Sequence, residues 1–247
     1  TLKRYPEGVE DDFFFEKRCP PHRPEWVKTA DVRGDDGKKK VCLVNDLETL
    51  MWVGNLASLE LHVPLARAGS PETPDSMVFD LDPGAPANIL DCARVALILQ
   101  DLLSGLRLAS YAKTSGKKGL HVYVPLNNKE TTFEDTKQFS KAVANIMQKN
   151  YPALVTAAMA KEYRKERVFI NWSQNDSSKT MICVYSLRAR EKPIVSFPLA
   201  WRELEKLSGQ KDPEKLHVIH SEAVRRAEKE GDLFHEVLVE KQKLPHL

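Results

Sequence analysis

A chain of 247 residues, 42% hydrophobic and 29% charged, has the make-up of a folded globular protein and enough length to bury a real core. No apolar run approaches the roughly 20 residues needed to span a bilayer, and the start shows no signal-peptide pattern, so a cytoplasmic, non-membrane protein is expected. A net charge of +2 is too small to announce nucleic-acid binding, so any such footprint must be local. Two candidates are Lys113, Lys117 and Lys118 around a glycine loop, and Lys161, Arg164, Lys165 and Arg167 ahead of a predicted strand. Cys19, Cys42, Cys92 and Cys183 form no C-x-x-C pair and read as reduced and mostly buried, without a zinc knuckle or disulfide framework.

Along the chain, residues 12–17 and 41–44 read as strands, with Lys38, Lys39 and Lys40 at an exposed hairpin tip. Residues 46–57 read as a helix capped by Asn45 or Asp46 and carrying apolar Leu47, Leu50, Met51 and Leu56. A short strand from Glu60 to Leu65 carries His62. The next strand, Met77-Val78-Phe79-Asp80-Leu81-Asp82-Pro83-Gly84, ends in two carboxylates that share a face, because strand side chains alternate with period two. Two anions that close stay ionised cheaply only with a cation or hydrogen bonds between them, which points to a divalent metal; a strand end entering an Asp-Pro-Gly turn fits the pattern equally.

An amphipathic helix follows from about Ala87 to Leu103. Thr114-Ser115-Gly116-Lys117-Lys118-Gly119 then leads into a strand, Leu120 to Leu126, in which His121 and Tyr123 oppose Leu120, Val122 and Val124. Such a loop can present backbone N–H groups, a hydroxyl, an ammonium and an imidazolium to an anion, although it lacks P-loop spacing; a plain glycine turn with exposed lysines is the alternative. Thr132 to Asn150 reads as a helix, Arg167 to Trp172 as a strand, and the segment beyond Leu199 as charged helix, clearest at Ser221 to Glu230. Arg188 and Arg190, two residues apart, can fork around phosphate oxygens or stand as unliganded surface residues. The absence of a Rossmann glycine fingerprint and the irregular mixture of elements favour an α+β fold, two-lobed around a cleft.

Three segments in this order, D-L-D-P, T-S-G-x-K-G-L-H-V-Y and V-F-x-x-W-S-Q-N…Y-S-L-R-x-R, resemble the motifs of archaeo-eukaryotic primases. The resemblance is specifically to the primase-polymerase domain of bacterial ligase D and its stand-alone archaeal relatives, which act in nonhomologous end joining. It runs nearly end to end, from Lys3-Arg4-Tyr5-Pro6-Glu7-Gly8 through Phe14-Phe15-Glu16-Lys17 and Leu61-His62-Val63-Pro64, and implies one primase-polymerase domain over 1–247. It implies a core of mixed and antiparallel sheets flanked by helices around a central cleft, and a DNA-directed nucleotidyltransferase that fills gaps and extends broken ends with a preference for ribonucleotides.

Carried over residue by residue, the resemblance implies that Asp80 and Asp82 bind two Mn²⁺ or Mg²⁺ ions. Ser115, Lys118 and His121 would contact the triphosphate, with Arg164, Arg188 and Arg190 adding positive charge. His62 would lie against the sugar; Lys3, Gln174 and Lys179 would line the nucleotide pocket; Phe14 and Phe15 would stack on the template strand. Implied partners are nucleoside triphosphates, gapped or broken DNA, Ku and a DNA ligase, in a nucleoid-associated setting. Two departures stand out. Asn171 occupies the place of the third metal-binding carboxylate, which keeps a carbonyl and loses the charge, so metal affinity and catalysis are expected to fall; an engineered change and a natural variant both account for it. The chain also opens at Thr1, without the segment that in relatives supplies basic residues for a 5′-phosphate, so the resemblance does not carry 5′-phosphate recognition over to it.

Two rival readings remain. Asn171 motivates a non-catalytic module that binds and bridges DNA ends. Asp-x-Asp also ends the nucleophile strand of haloacid dehalogenase-type phosphatases, but that chemistry wants Thr or Val where Pro83-Gly84 stands, and it leaves His121 and the arginine pair unexplained.

Overall fold

In the computed structural model, which describes residues 1–34 and 37–245, the chain forms fifteen strands and six α-helices. The N-terminal part holds β1 (Leu2–Arg4), β2 (Phe14–Glu16), β3 (Thr29–Gly34), β4 (Gly37–Cys42), α1 (Leu47–Asn55) and β5 (Ser58–Val63). The middle holds β6 (Ser76–Pro83), α2 (Ile89–Gly105), β7 (Tyr111–Thr114), β8 (Leu120–Pro125), α3 (Phe133–Asn150), β9 (Val155–Thr156) and β10 (Val168–Asn171). The remainder holds β11 (Met181–Ile182), β12 (Leu187–Arg188), β13 (Ile194–Val195), β14 (Pro198–Leu199), α4 (Trp201–Ser208), β15 (Val218–Ile219), α5 (His220–Glu230) and α6 (His235–Val239). These strands make a six-stranded sheet in the order β14-β7-β8-β6-β10-β9, a four-stranded sheet β11-β5-β1-β2, a three-stranded sheet β12-β13-β15 and the hairpin β3-β4. The α+β reading therefore holds. No helix is long and apolar enough to cross a membrane among the described residues.

Strand β6 divides the core by its period of two. Met77, Phe79 and Leu81 enter the main cluster with Val122 of β8 and Val95 and Leu99 of α2, all fully buried. Val78 faces the other way, with Tyr123, Leu65 and Phe234, and that second face is the one Asp80 and Asp82 continue. Helix α2 starts on a capping box between Asn88 and Asp91, and α3 on one between Thr132 and Asp135, so both helices begin where their orphan N–H groups find acceptors.

Three expectations fail locally. Asp46 does cap α1, but Leu47, Leu50 and Met51 stay exposed and the helix buries Thr49 and Val53 instead. The expected strand at 41–44 begins earlier and ends at Cys42, so Lys38, Lys39 and Lys40 lie within β4; residues 35 and 36 fall outside the described residues. Cys19 and Cys42 are joined in a disulfide, leaving only Cys92 and Cys183 free. Pairing of the segment after β2 with β4, through the Cys19 N–H donating to the Lys40 carbonyl at 2.8 Å, brings together cysteines 23 positions apart in sequence.

Candidate active site

Antiparallel pairing aligns Lys113 of β7 with His121 of β8, His121 with Asp80 of β6, and Asp80 with Asn171 of β10. Directly paired residues share a sheet face, so four polar side chains form one row across four neighbouring strands. The first three are nearly buried, at 1%, 4% and 7% exposed. Asp82, one step along β6 on the same face, pairs with Phe169.

The row is built around carboxylates that lack a sufficient counter-charge. Asp80 Oδ2 accepts from Asn171 Nδ2 at 3.2 Å and from Gln174 Nε2 at 3.5 Å, and His121 Nε2 stands 3.4 Å from Oδ1. Burial, then repulsion by Asp82, raises the Asp80 pKa despite those amides; burial also raises that of Asp82, opposed by the Arg164 charge. Arg164 lies with its guanidinium 3.8 Å from the Phe169 ring centre. The Asn171 carbonyl oxygen accepts from Ser173 Oγ at 2.8 Å, and Lys179 Nζ holds Ser173 through its Oγ at 2.9 Å and its carbonyl at 2.7 Å. Lys179 thus sits behind Asn171, braced within the protein. Two carboxylates that repel each other fit a divalent cation, while Asn171 adds only a neutral donor; among the described residues no group of three His, Cys, Asp or Glu side chains converges for a metal.

His121 departs from the imidazolium expected of it. Burial, together with the charges of Lys113 and Arg188, pushes its pKa well below the usual value, so the ring is neutral, and its buried Nδ1 has no partner. Lys113, which the sequence offers as part of a basic cluster around the glycine loop and not as a neighbour of His121, is itself driven down to about 7 by burial and donates to Ser196 Oγ at 2.6 Å. Its signal was its place on the strand that pairs with β8, legible only once β7 is recognised.

On the neighbouring four-stranded sheet, a cluster of cations surrounds one carboxylate. Glu60, 1% exposed, lies 3.6 Å from Lys3, 3.2 Å from His62 and 3.2 Å from Arg188. Lys117 belongs to this field: burial, then the Arg188 charge, lowers its pKa, with Glu60 opposing and Lys3 and Arg190 adding to the shift. Lys118 and Arg190 are exposed at the edge, and Ser115 Oγ turns inward to accept from the N–H groups of Lys117 and Gly119, both at 3.2 Å. Gly116 has φ +69°, and a Cβ there would run into the Arg188 side chain, so glycine lets the loop and Arg188 cross. The excess of cations over Glu60 suits a polyanion.

Phe13, just ahead of β2, and Phe14 and Phe15 within it point alternately to two faces. Phe13 and Phe15 meet edge-to-face with centres 5.9 Å apart, Lys3 Nζ lies 3.6 Å from the Phe13 centre, and Phe15 packs on His62 at 6.0 Å. Phe14 faces the other way, over Arg4 at 5.0 Å. The expected pair Phe14 and Phe15 is thus split between two faces, and exposed Phe13, overlooked in sequence, joins Phe15. Asn175, also overlooked, is fully buried and grips both backbone groups of Val78 at 2.8 Å, tying the turn after β10 to β6.

A family model described as LigD, primase-polymerase domain, matches residues 1–234. The chain belongs to the LigD primase-polymerase domain family. Similar relatives of this LigD domain include the multifunctional non-homologous end joining protein LigD of Mycolicibacterium smegmatis, 37% identical over 236 residues, or 95% of this chain and 30% of that protein. The bifunctional non-homologous end joining protein LigD of Bacillus subtilis is 34% identical over 205 residues, 83% of this chain and 33% of that one. The chain thus spans about a third of these relatives' length. Among solved structures, the polymerase domain of Mycobacterium tuberculosis ligase D in complex with DNA superposes with a TM-score of 0.87 at 35% identity, covering 98% of this chain and 84% of that one.

Proposed function

We propose that the chain is one primase-polymerase domain over 1–247, a DNA-directed nucleotidyltransferase of end-joining repair that fills gaps and extends broken ends, preferring ribonucleotides. The observation that carries this reading is the adjacency of two complementary charge sites: the Asp80–Asp82 face, short of positive charge, and the cation cluster of Lys3, Lys117 and Arg188, which suits a triphosphate. The reaction joins a primer 3′-oxygen to the α-phosphorus of the nucleotide, breaks that phosphorus's bond to the bridging oxygen, and releases pyrophosphate and the hydroxyl proton. Asp80 and Asp82, with the neutral amide of Asn171 beside Asp80, would hold the Mn²⁺ or Mg²⁺ ions, which would supply charge neutralisation to the reacting oxygens.

The chain's own residues do the rest. Arg188, Arg190, Lys117 and Lys118 bind the triphosphate, with Ser115 shaping the loop and neutral His121 offering one N–H to phosphate or to Asp80. Arg164 adds charge beside Asp82, Gln174 orients Asp80, and Lys179 braces Asn171 through Ser173. His62, beside exposed Phe15, contacts the sugar, and Phe13 and Phe15 offer stacking surface to the template strand, with Phe14 on the far side. Further partners under this reading are Ku and a DNA ligase, and the setting is the nucleoid.

A second reading, an end-binding and bridging module without turnover, is favoured by the neutral amide at Asn171. One experiment decides between them. Asn171→Asp protein given Mn²⁺, nucleoside triphosphates and a primed gapped duplex extends the primer if the polymerase reading holds; tight DNA binding with no extension leaves the bridging module.

A further inference from the structure

We propose that Glu60 is a positioning residue for the incoming nucleotide: one buried carboxylate on β5 that sets Lys3, His62 and Arg188, drawn from three strands, in a single arrangement before the nucleotide arrives. This rests on reading the cation cluster as the triphosphate and sugar site. The two carboxylate oxygens divide the work. Oε2 holds His62 Nε2 and Arg188 Nη1, each at 3.2 Å, and Oε1 takes the Tyr5 hydroxyl at 3.1 Å, the Ala189 N–H at 3.3 Å and the Lys3 ammonium at 3.6 Å.

Lys3 comes from β1, His62 from β5 and Arg188 from β12, so no single strand fixes their relative placement. Lys3 and Arg188 converge on the same carboxylate, and without an anion between them two like charges would repel and spread apart. Glu60 is too enclosed to meet a ligand and has no free lone pair facing one; its effect reaches the nucleotide only through the groups it holds. The Ala189 contact matters as well, because it fixes the backbone between Arg188 and Arg190. Burial alone raises a carboxyl pKa, yet here the His62 hydrogen bond and the charges of Arg188, Lys117 and Lys3 outweigh it and hold the group at about 2, as expected of a permanently charged hub.

The test is Glu60→Gln, which keeps the shape but turns an –NH₂ toward donors on one side. Binding of a fluorescent ribonucleoside triphosphate with Mn²⁺ is measured on the otherwise unaltered chain, and KM and kcat are measured in the Asn171→Asp background. A tenfold or greater loss of triphosphate affinity is expected, with KM raised to match, kcat within about threefold and affinity for gapped DNA unchanged. A general loosening of the fold would instead lower kcat and DNA affinity together. Glu60→Asp, which keeps the charge and shortens the reach, is expected to lose threefold to tenfold, and it carries the test if the Gln variant does not fold. Unchanged triphosphate affinity in the folded variant overturns the role of Glu60 while leaving the site reading intact. A parent chain that binds no triphosphate overturns the site reading and this proposal with it.

Discussion

Asp80 and Glu60 are both nearly buried carboxylates on strands of two different sheets, yet their surroundings move them in opposite directions. Glu60 meets Lys3, His62 and Arg188, and its pKa falls; Asp80 meets Asp82, two neutral amides and a neutral imidazole, and its pKa rises. Desolvation acts upward on both, so burial does not decide the outcome; the sign follows from the charges that the strand register places alongside. A carboxylate compensated within the protein is framework. A pair left repelling each other is a position where an external cation gains most, so the acidic row is where ions should change both stability and rate.

Asn171→Asp sharpens that contrast most. A third carboxylate beside Asp80 should lower the melting temperature of the ion-free protein and make it rise steeply with Mn²⁺, while primer extension gains ~10²–10³-fold, the scale of removing or restoring one charged group at a catalytic centre. Thermal melts with and without Mn²⁺, beside a primer-extension assay, check both halves. A melting temperature indifferent to Mn²⁺ in this variant would break the contrast.

Asn175→Ala comes next and should leave the contrast intact while weakening its base. The side chain makes 2.8 Å hydrogen bonds with both the N–H and the carbonyl of Val78, two residues before Asp80, and reaches Ser140 Oγ at 3.0 Å and the Trp172 carbonyl at 3.1 Å. Removing it strands two strand-backbone groups and a carbonyl in a fully buried place, a loss of about 3 kcal/mol of stability in urea unfolding. The loss should be equal with and without Mn²⁺, because nothing in that network touches the carboxylates.

The site was legible in sequence where chemistry and local period coincide. Asp80 and Asp82 share a face because the strand period is two, and His121 opposes Val122 for the same reason. What stayed hidden was set by register between distant segments: Lys113 beside His121, Glu60 beneath Lys3 and Arg188, Asn175 against Val78, and the Cys19–Cys42 bridge. Helix α1 failed for a different reason. Its periodicity and Asp46 cap are real, but among the described residues no other element packs over Leu47, Leu50 and Met51, and amphipathicity states which face could be buried, not that a partner exists. Lys179 fell between the two cases: its ammonium is held on Ser173, whose hydroxyl donates to Asn171.

The smallest effect tests the compensated side through pH. Glu60 titrates at about 2 when folded and near its ordinary 4.5 when unfolded, so the unfolded chain binds the proton first as pH falls. Its contribution is therefore complete above pH 4.5 and is lost as pH drops toward 2, a swing of about 2 kcal/mol after allowance for the neighbours sharing the shift. Asp80 and Asp82 have the opposite sign: their raised pKa values mean that the folded state holds protons longer, so acidification relieves their repulsion rather than adding to it. Urea unfolding of the parent chain between pH 5 and pH 2.5 should show a falling acid limb, and Glu60→Gln, with no proton to take up there, should flatten it. An acid limb of equal slope in both proteins would mean that Lys3, His62 and Arg188 do not hold the charged form, and the distinction between the two carboxylate environments would collapse.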